Sequence, residues 1–268
     1  MIRFHPTEGE AQKHLHRTTL CFGTEIYHMT IATTDYSIQL ADKVAIISDP
    51  HANLRGLELS YKKIRSLGIE QIICCGDLVG YGHEPNEVVE FFRAHSIHTI
   101  SGNHDRLVCG QIEAKDWNPF ALKKIDWTKS VLTTDNLTYL SNLPVNMVTA
   151  ECCVVHGAWT DPDKYLFQER DFFEELEQLP ATLVFYGHTH MPSVFQFLLA
   201  EGKFDYRHLL PTHTSEVYVK LLEESPIMLV SFVNPGTVGY PRGMSNQASF
   251  IVWEKQTGRV SYEFFDLL

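Results

Sequence analysis

The chain has 268 residues, and its 33 acidic side chains outnumber its 22 basic ones, so the formal net charge is −11 with neutral histidines. Apolar residues make up 44% of the sequence, which is enough for a core and excludes wholesale disorder. The acidic balance argues against general binding to nucleic acid or to an anionic membrane surface.

Targeting signals and cysteine positions indicate the compartment. No run of 18 apolar residues without charge occurs, so we expect no transmembrane helix. The first 30 residues lack the basic and then apolar pattern of a secretory signal. Four of the six cysteines form adjacent pairs inside apolar runs, and neighbours in a strand point to opposite faces. We therefore expect buried, reduced thiols in a cytoplasmic protein, without a CxxC metal clip.

The first part of the chain divides into a polar stretch and a regular α/β pattern. Residues 1–40 are polar and show no clear period, which predicts a loosely ordered N-terminal extension before one domain over residues 41–268. Short apolar runs then alternate with helical spacings, which predicts a β-α-β-α-β segment. Its elements are a strand at 44–48, a helix at 54–67, a strand at 69–75, a helix at 86–95 and a strand at 97–101.

The second half of the pattern is richer in strands. Residues 106–143 contain several short helical patterns, among them 121–132, and a further helix is predicted at 172–179. The remaining apolar runs predict strands at 145–149, 151–155, 183–186, 194–199, 217–221, 228–233, 249–253 and 260–264. Together these elements predict a layered α/β domain.

Polar side chains follow five of the predicted strands at their C-terminal ends, which is the edge at which α/β sheets bind ligands. Neighbouring glycines permit sharp turns and close backbone approach there. The polar residues are Asp49 and His51, Asp77, Asn103, His156, and His188 with His190. Imidazole and carboxylate together suit Mn, Fe, Zn, Co or Ni.

Seven candidate ligands exceed the needs of one ion, so the set indicates two metal ions that share a bridging carboxylate. Two ions about 3.5–4 Å apart activate a water and hold phosphoryl oxygens. A lone strand-end Asp is more often a turn or cap residue, but that interpretation would have to hold at five strand ends at once. Divalent ions would also supply the local positive charge that a phosphate substrate needs, which this acidic chain does not otherwise provide.

These blocks resemble the calcineurin-like metallophosphoesterase superfamily in order and approximate spacing, over about residues 43–266. The motifs are Asp49-X-His51, Gly76-Asp77, Gly102-Asn103-His104-Asp105, His156-Gly157 and Gly187-His188-Thr189-His190. The segments 76–82 and 234–239 are similar to those of a small bacterial and archaeal phosphodiesterase-like branch of the superfamily.

The resemblance implies a four-layer αββα sandwich, in which two packed mixed β-sheets are flanked by helices. It implies that one metal ion is held by Asp49, His51 and His190. It implies that a second ion is held by Asn103, His156 and His188, with Asp77 bridging the two. His104 is not a ligand in the family; there it stabilises phosphoryl oxygens or protonates the leaving group. Asp105 is expected to support His104 or its loop in catalysis.

This sequence differs from some groups of the superfamily at two motif positions, and these differences indicate which group it resembles less. Protein phosphatases and dinucleoside tetraphosphatases carry an arginine where this chain has Tyr81, and protein phosphatases have Glu where Asp105 stands. Both differences weaken a protein phosphatase interpretation. Arg106 and Arg242 could each grip a phosphate bidentately, and Tyr81 is a further candidate substrate contact.

Three other protein classes compete with a phosphodiesterase or phosphomonoesterase. The metallo-β-lactamase fold needs an H-X-H-X-D-H block, which the residues after His190 do not provide. A TIM-barrel metal hydrolase would carry its His-X-His pair on the first strand. A catalytically silent scaffold on the same fold would have lost ligands or His104, and all are present. We therefore expect a small phosphate-ester substrate, two divalent ions and neither nucleic-acid nor membrane partners.

Overall fold

The protein is described here by a computed structural model, which covers residues 15–22, 25–32, 38–115, 117–200, 203–220, 227–242 and 247–267. Its strands are β1 (Leu15–Phe22), β2 (Glu25–Ala32), β3 (Lys43–Ile47), β4 (Gln71–Cys74), β5 (His98–Thr99), β6 (Asn146–Val148), β7 (Cys153–Val155), β8 (Leu183–Phe185), β9 (Ser193–Ala200), β10 (Lys203–Leu209), β11 (Glu216–Tyr218), β12 (Met228–Asn234), β13 (Gln247–Glu254) and β14 (Arg259–Asp266). Its helices are α1 (Leu54–Ser66), α2 (Pro85–Ala94), α3 (Asn103–Val108), α4 (Pro119–Val131), α5 (Thr134–Ser141) and α6 (Phe173–Leu176), the last preceded by a 3₁₀ turn, Glu169–Phe172.

Two six-stranded mixed sheets form the centre of the domain. The first has the strand order β11-β14-β13-β3-β4-β5 and the second β10-β9-β12-β8-β7-β6. Within the first sheet β3, β4 and β5 run parallel, and within the second β12, β8 and β7 do so. The remaining pairs in both sheets are antiparallel. Parallel strands bring their C-terminal ends to one edge, which is where the candidate ligands lie.

The alternation of side chains along the strands builds the layers. In β3, Val44 and Ile46 point into the core between the two sheets, whereas Ala45 and Ile47 point to the helices outside the first sheet. Helices α1, α2, α4 and α5 supply apolar side chains to that outer core. On the far side, the 3₁₀ turn and α6 cover the second sheet. The layered α/β domain predicted from the sequence, and the four-layer αββα sandwich that the resemblance implies, are thus confirmed.

The adjacent cysteines follow the same alternation. Cys74 lies in the core under the helices and Cys75 in the core between the sheets, and Cys152 and Cys153 likewise lie in different cores. All four are free thiols. The expectation that these pairs are buried thiols is therefore confirmed.

The differences from the predicted elements have simple reasons. Strand β10 was not predicted, because it lies at a sheet edge with most side chains exposed and therefore lacks an apolar run. The helix predicted at 172–179 is wrong in extent, since it is a 3₁₀ turn followed by the single-turn helix α6. The end of the strand predicted at 217–221 lies outside the described residues.

The N-terminal stretch contains secondary structure that the sequence did not predict. Strands β1 and β2 pair antiparallel as a two-stranded sheet. The division into an extension over residues 1–40 and a domain over 41–268 stays a prediction. Within the described part of the chain, none of the helices combines the length and apolar character needed to cross a membrane.

Candidate metal centre

Five strand ends, three from the first sheet and two from the second, converge on one buried point. Strands β3, β4 and β5 of the first sheet and β7 and β8 of the second lead into it. The seven predicted ligands are all buried, and they are Asp49, His51, Asp77, Asn103, His156, His188 and His190. The structure thus brings the whole predicted set together, across the boundary between the two sheets.

The backbone at these strand ends adopts a conformation that L-residues rarely take. Positive φ angles of 47–65° occur at five of the seven predicted ligands: Asp49, His51, Asp77, His188 and His190. Asp, Asn and His are enriched in this region, yet each such residue costs roughly 1–3 kcal/mol unless its surroundings fix it. Clustering of such strain is typical of functional sites.

Glycines let the strand ends approach closely enough to form the cluster. A Cβ on Gly102 would lie 2.1 Å from Asp77 Oδ1, and one on Gly187 would lie 2.1 Å from Ser48 Oγ. Any larger residue would therefore push apart the loops that carry the predicted ligands.

A first group of four side chains can surround one ion: Asp49, His51, Asp77 and His190. His51 Nε2 lies 3.0 Å from His190 Nε2, and Asp49 Oδ1 lies 3.3 Å from the same His190 atom. Asp77 Oδ2 lies 3.5 Å from His51 Nε2. Among the described residues Asp49 Oδ1 is buried without a hydrogen-bond partner. Two ring nitrogens and an orphaned carboxylate oxygen that face one point are the donor set a divalent cation requires.

A second group shares Asp77 and adds His156 and His188. Asp77 Oδ2, the oxygen that faces His51, also lies 3.2 Å from His156 Nε2. Asn103 Oδ1 lies 3.0 Å from that same nitrogen. A single carboxylate oxygen therefore stands between the two groups, and the bridging role that the resemblance implies for Asp77 stays a prediction.

In each of the four histidines, the ring nitrogen that faces away from the centre forms a hydrogen bond to a backbone carbonyl. A carbonyl only accepts, so that nitrogen carries a proton, and the other nitrogen of each ring faces the centre. The bonds are His51 Nδ1 to Val79 O at 3.0 Å, His156 Nδ1 to Cys75 O at 2.8 Å, His188 Nε2 to Asp163 O at 3.1 Å and His190 Nδ1 to Tyr240 O at 2.6 Å. These tautomers are the ones that metal binding needs.

Burial and charge set the protonation of the cluster. Burial lowers the pKa of His51 and brings that of His188 to about 3, so both rings are neutral near pH 7. Burial opposes ionisation of Asp77, but its histidine neighbours, His156 foremost, hold its pKa well below the usual range. Burial likewise disfavours charge on His156, yet the Asp77 carboxylate raises its pKa to about 9. Without a metal ion, a proton on His156 therefore balances Asp77, and metal and proton compete for this nitrogen.

His104 lies beside the cluster and belongs to neither group of candidate ligands. Its backbone N–H donates to Asp77 Oδ1 at 2.9 Å, and its ring centroid lies 4.7 Å from that of His51. Burial lowers the pKa of His104 to about 4. Its Nδ1 is buried and has no hydrogen-bond partner among the described residues. His104 therefore lies next to the centre, and its part in catalysis stays a prediction.

Asp105 holds the loops together. Its carboxylate accepts hydrogen bonds from the backbone N–H groups of Leu78, Val79 and Gly102, at 3.0–3.2 Å. It thereby ties the loop after β4 to the start of α3, on which His104 stands. This contact fits the expected support of the loop, while a direct part in catalysis stays a prediction.

The three candidate substrate contacts differ in their surroundings. Arg106 Nη2 donates to Asp163 Oδ1, so its charge is balanced. Tyr81 places its ring 4.7 Å from that of His51, and its hydroxyl accepts from Arg242 Nη2 at 3.2 Å. Arg242 and Tyr81 therefore lie together at the centre, whereas Arg106 supports the loop that holds His188.

Sequence reasoning missed the contribution of a sixth strand end, that of β12. Asn234 Nδ2 donates to Gly187 O at 2.7 Å, and Thr237 Oγ1 donates to Asp49 O at 2.7 Å. These bonds fix the turns that carry Asp49 and His188. The signal was present as Asn-Pro-Gly-Thr directly after an apolar run, but its role requires the tertiary contact.

Comparisons with known proteins match this chain to one superfamily and its fold. A sequence model described as the calcineurin-like phosphoesterase superfamily domain matches residues 43–258. The uncharacterized protein MJ0912 of Methanocaldococcus jannaschii is 32% identical over 221 residues, which is 81% of this chain and 84% of the relative. A metallophosphoesterase from Sphaerobacter thermophilus is 30% identical with a TM-score of 0.67, covering 85% of this chain and 89% of that one. The hypothetical protein PH1004 from Pyrococcus horikoshii, 18% identical with a TM-score of 0.64, shares the fold over 84% of this chain and 88% of its own.

Proposed function

Since this chain belongs to the calcineurin-like phosphoesterase superfamily, we propose that it hydrolyses a phosphodiester or phosphomonoester with the help of two divalent metal ions. The observation that supports this most is the position of Asp77 Oδ2, which lies 3.5 Å from His51 Nε2 and 3.2 Å from His156 Nε2. One shared oxygen between two sets of nitrogen donors suits a pair of ions better than a single one.

The residues divide naturally between the two proposed ions. One would be held by Asp49, His51, Asp77 and His190, and the other by Asp77, Asn103, His156 and His188. Bound divalent ions supply Lewis acidity and an activated water to phosphoester hydrolysis. Mn, Fe, Zn, Ni and Co all accept this mixture of imidazole, carboxylate and amide ligands, so availability decides among them.

His104 is proposed to assist the departing oxygen of the ester. Its ring is neutral near pH 7 because burial lowers its pKa to about 4. A phosphate anion bound against the ring would favour its protonated form, which can then donate to the leaving group. Arg242 is proposed to hold a non-bridging phosphate oxygen. Arg106 is the weaker candidate for that contact because Asp163 already pairs with it.

The test is hydrolysis of a panel of phosphate monoesters and diesters, including bis(p-nitrophenyl) phosphate, under each of the five metals. We expect metal-dependent turnover that His104→Ala lowers by about 10²–10⁴-fold, with metal content unchanged by elemental analysis. The control is His95→Ala, an exposed histidine at the end of α2. Absence of hydrolysis under every metal would favour the alternative, a scaffold protein on the same fold.

A cytoplasmic location is also proposed, together with a small-molecule substrate. The cytoplasmic location is supported by the thiols of Cys74, Cys75, Cys152 and Cys153, which are buried and free. Alkylation of freshly lysed cells before purification should find these four cysteines reduced. A disulfide at any of them would contradict the proposed compartment.

A further inference from the structure

Aromatic side chains surround the candidate metal centre in two stacks, which we call the aromatic rim. The members of the rim are Tyr81, Phe120, Tyr165, Phe167 and Tyr240. In one stack the Tyr81 ring lies 4.5 Å from that of Tyr240 and 6.3 Å from that of Phe120, in near-parallel planes. In the other stack the rings of Tyr165 and Phe167 lie 5.3 Å apart and almost parallel.

Each stack contacts one of the two groups of proposed ligands. Tyr165 lies flat on His188, with ring centroids 3.7 Å apart. Tyr81 meets His51 edge to face at 4.7 Å. Arg242 joins the stacks, since its guanidinium donates to the Tyr81 hydroxyl and has a polar contact with Tyr165. The rim therefore borders the space in which a phosphate ester would bind.

The rim is exposed to an extent that packing does not explain. Phe120 is 55% exposed, Phe167 49%, Tyr165 42% and Tyr240 40%. None of the rim residues belongs to a hydrophobic core of the described chain. Trp117, by contrast, packs against the core under the helices. Exposed aromatic faces grouped beside a polar centre indicate a binding surface.

The charge of Arg242 remains available for a ligand. Among the described residues no carboxylate lies within ion-pair distance of its guanidinium, whose contacts are to tyrosine side chains. A cation between flat apolar faces suits a ligand that combines an anionic phosphate with a planar ring.

We propose that the aromatic rim makes this protein selective for phosphate esters that carry a planar aromatic group, such as a nucleoside, on the part that is not the leaving group. This inference rests on the proposed phosphoesterase function. A flat ligand ring stacks on aromatic side chains whatever substituents the ligand ring carries. The rim would therefore select ligands that contain a planar ring without distinguishing one nucleobase from another.

The experiment compares two diesters with the same leaving group: the p-nitrophenyl ester of thymidine 5′-monophosphate and methyl p-nitrophenyl phosphate. Because the departing p-nitrophenolate is identical, the ratio of their kcat/KM values reports only the retained group. We expect the thymidine ester to be preferred by about tenfold or more, the size of one base stacked on an aromatic side chain. Phe120→Leu and Phe167→Leu, which keep apolar bulk but remove a ring, should together abolish most of that preference.

The control is Phe173→Leu, which removes a phenylalanine of similar exposure that contacts Phe197 and Phe204 instead of the rim. Hydrolysis of both esters with equal kcat/KM, or a preference that survives the double rim variant, overturns this inference and leaves the phosphoesterase function standing. If neither ester is hydrolysed under any metal, the proposed function fails. Calorimetric binding of thymidine 5′-monophosphate against methyl phosphate to the metal-loaded protein then decides selectivity without turnover, and equal affinities would overturn it.

Discussion

Gly80→Ala tests the position of His104 without removing it. Gly80 lies in the loop after β4 with a φ of +130°, and a Cβ there would stand 2.4 Å from His104 Nδ1. The same Cβ would lie 3.1 Å from His51 Nδ1, where a few tenths of an ångström of adjustment suffice. The substitution therefore presses mainly on the His104 ring.

The magnitude follows from these distances. Ordinary van der Waals contact begins at 3.4 Å, so the His104 ring must move by about 1 Å from its place. A misplacement of about 1 Å near the reacting atoms costs about 100-fold in rate. The alanine also occupies a backbone conformation that costs roughly 1–3 kcal/mol in the free energy of unfolding. We expect turnover to fall much more than folding stability would explain.

The assay measures kcat, metal content and the urea midpoint of Gly80→Ala beside those of Gly68→Ala. Gly68 has a φ of +74° and nothing within 4 Å of an added Cβ, so its variant carries backbone strain without a clash. Both variants should lose stability, but only Gly80→Ala should lose kcat, with its metal ions retained. A kcat within about threefold of the parent, or a loss of metal that explains the lost turnover, would refute the reasoning.

Two further substitutions test the candidate metal centre and the core outside the second sheet. Asp77→Asn removes the shared carboxylate charge, so elemental analysis should find fewer than two ions per chain; two tightly held ions would refute the bridging assignment. Phe172→Ala empties a fully buried site, where the ring lies 4.3 Å from Phe195 and 4.7 Å from Phe232. It should lower the free energy of unfolding by about 3–5 kcal/mol in urea titration and leave the metal content unchanged. A loss below about 1 kcal/mol would mean that the core there closes over the cavity.

The core layers were predictable because they depend on local periodicity. Successive side chains of β3 point to opposite faces of the sheet, so Val44 lies between the sheets and Ala45 lies under the helices. This alternation depends only on the strand and can therefore be predicted from its sequence. Strand β10 was not predictable in this way, because an exposed edge strand needs no apolar face and is held by backbone bonds to β9.

The sequence by itself determined which chemical groups end the strands. Five buried strands are each followed by an Asp, Asn or His, and the C-terminal ends of parallel strands share one edge of a sheet, so the ligand types and their grouping within each sheet follow from order along the chain. The resemblance to a known family added the assignment of each ligand to an ion.

The tertiary structure decided the orientation of those groups. The left-handed backbone at Asp49 and His51 and the carbonyls of Asp163 and Tyr240 that fix the rings of His188 and His190 come from contacts between segments distant in sequence. Such contacts select one conformation and one tautomer from several that the local sequence allows equally. The aromatic rim arises in the same way, because its rings come from three loops and the start of α4, which meet only when the two sheets are packed together.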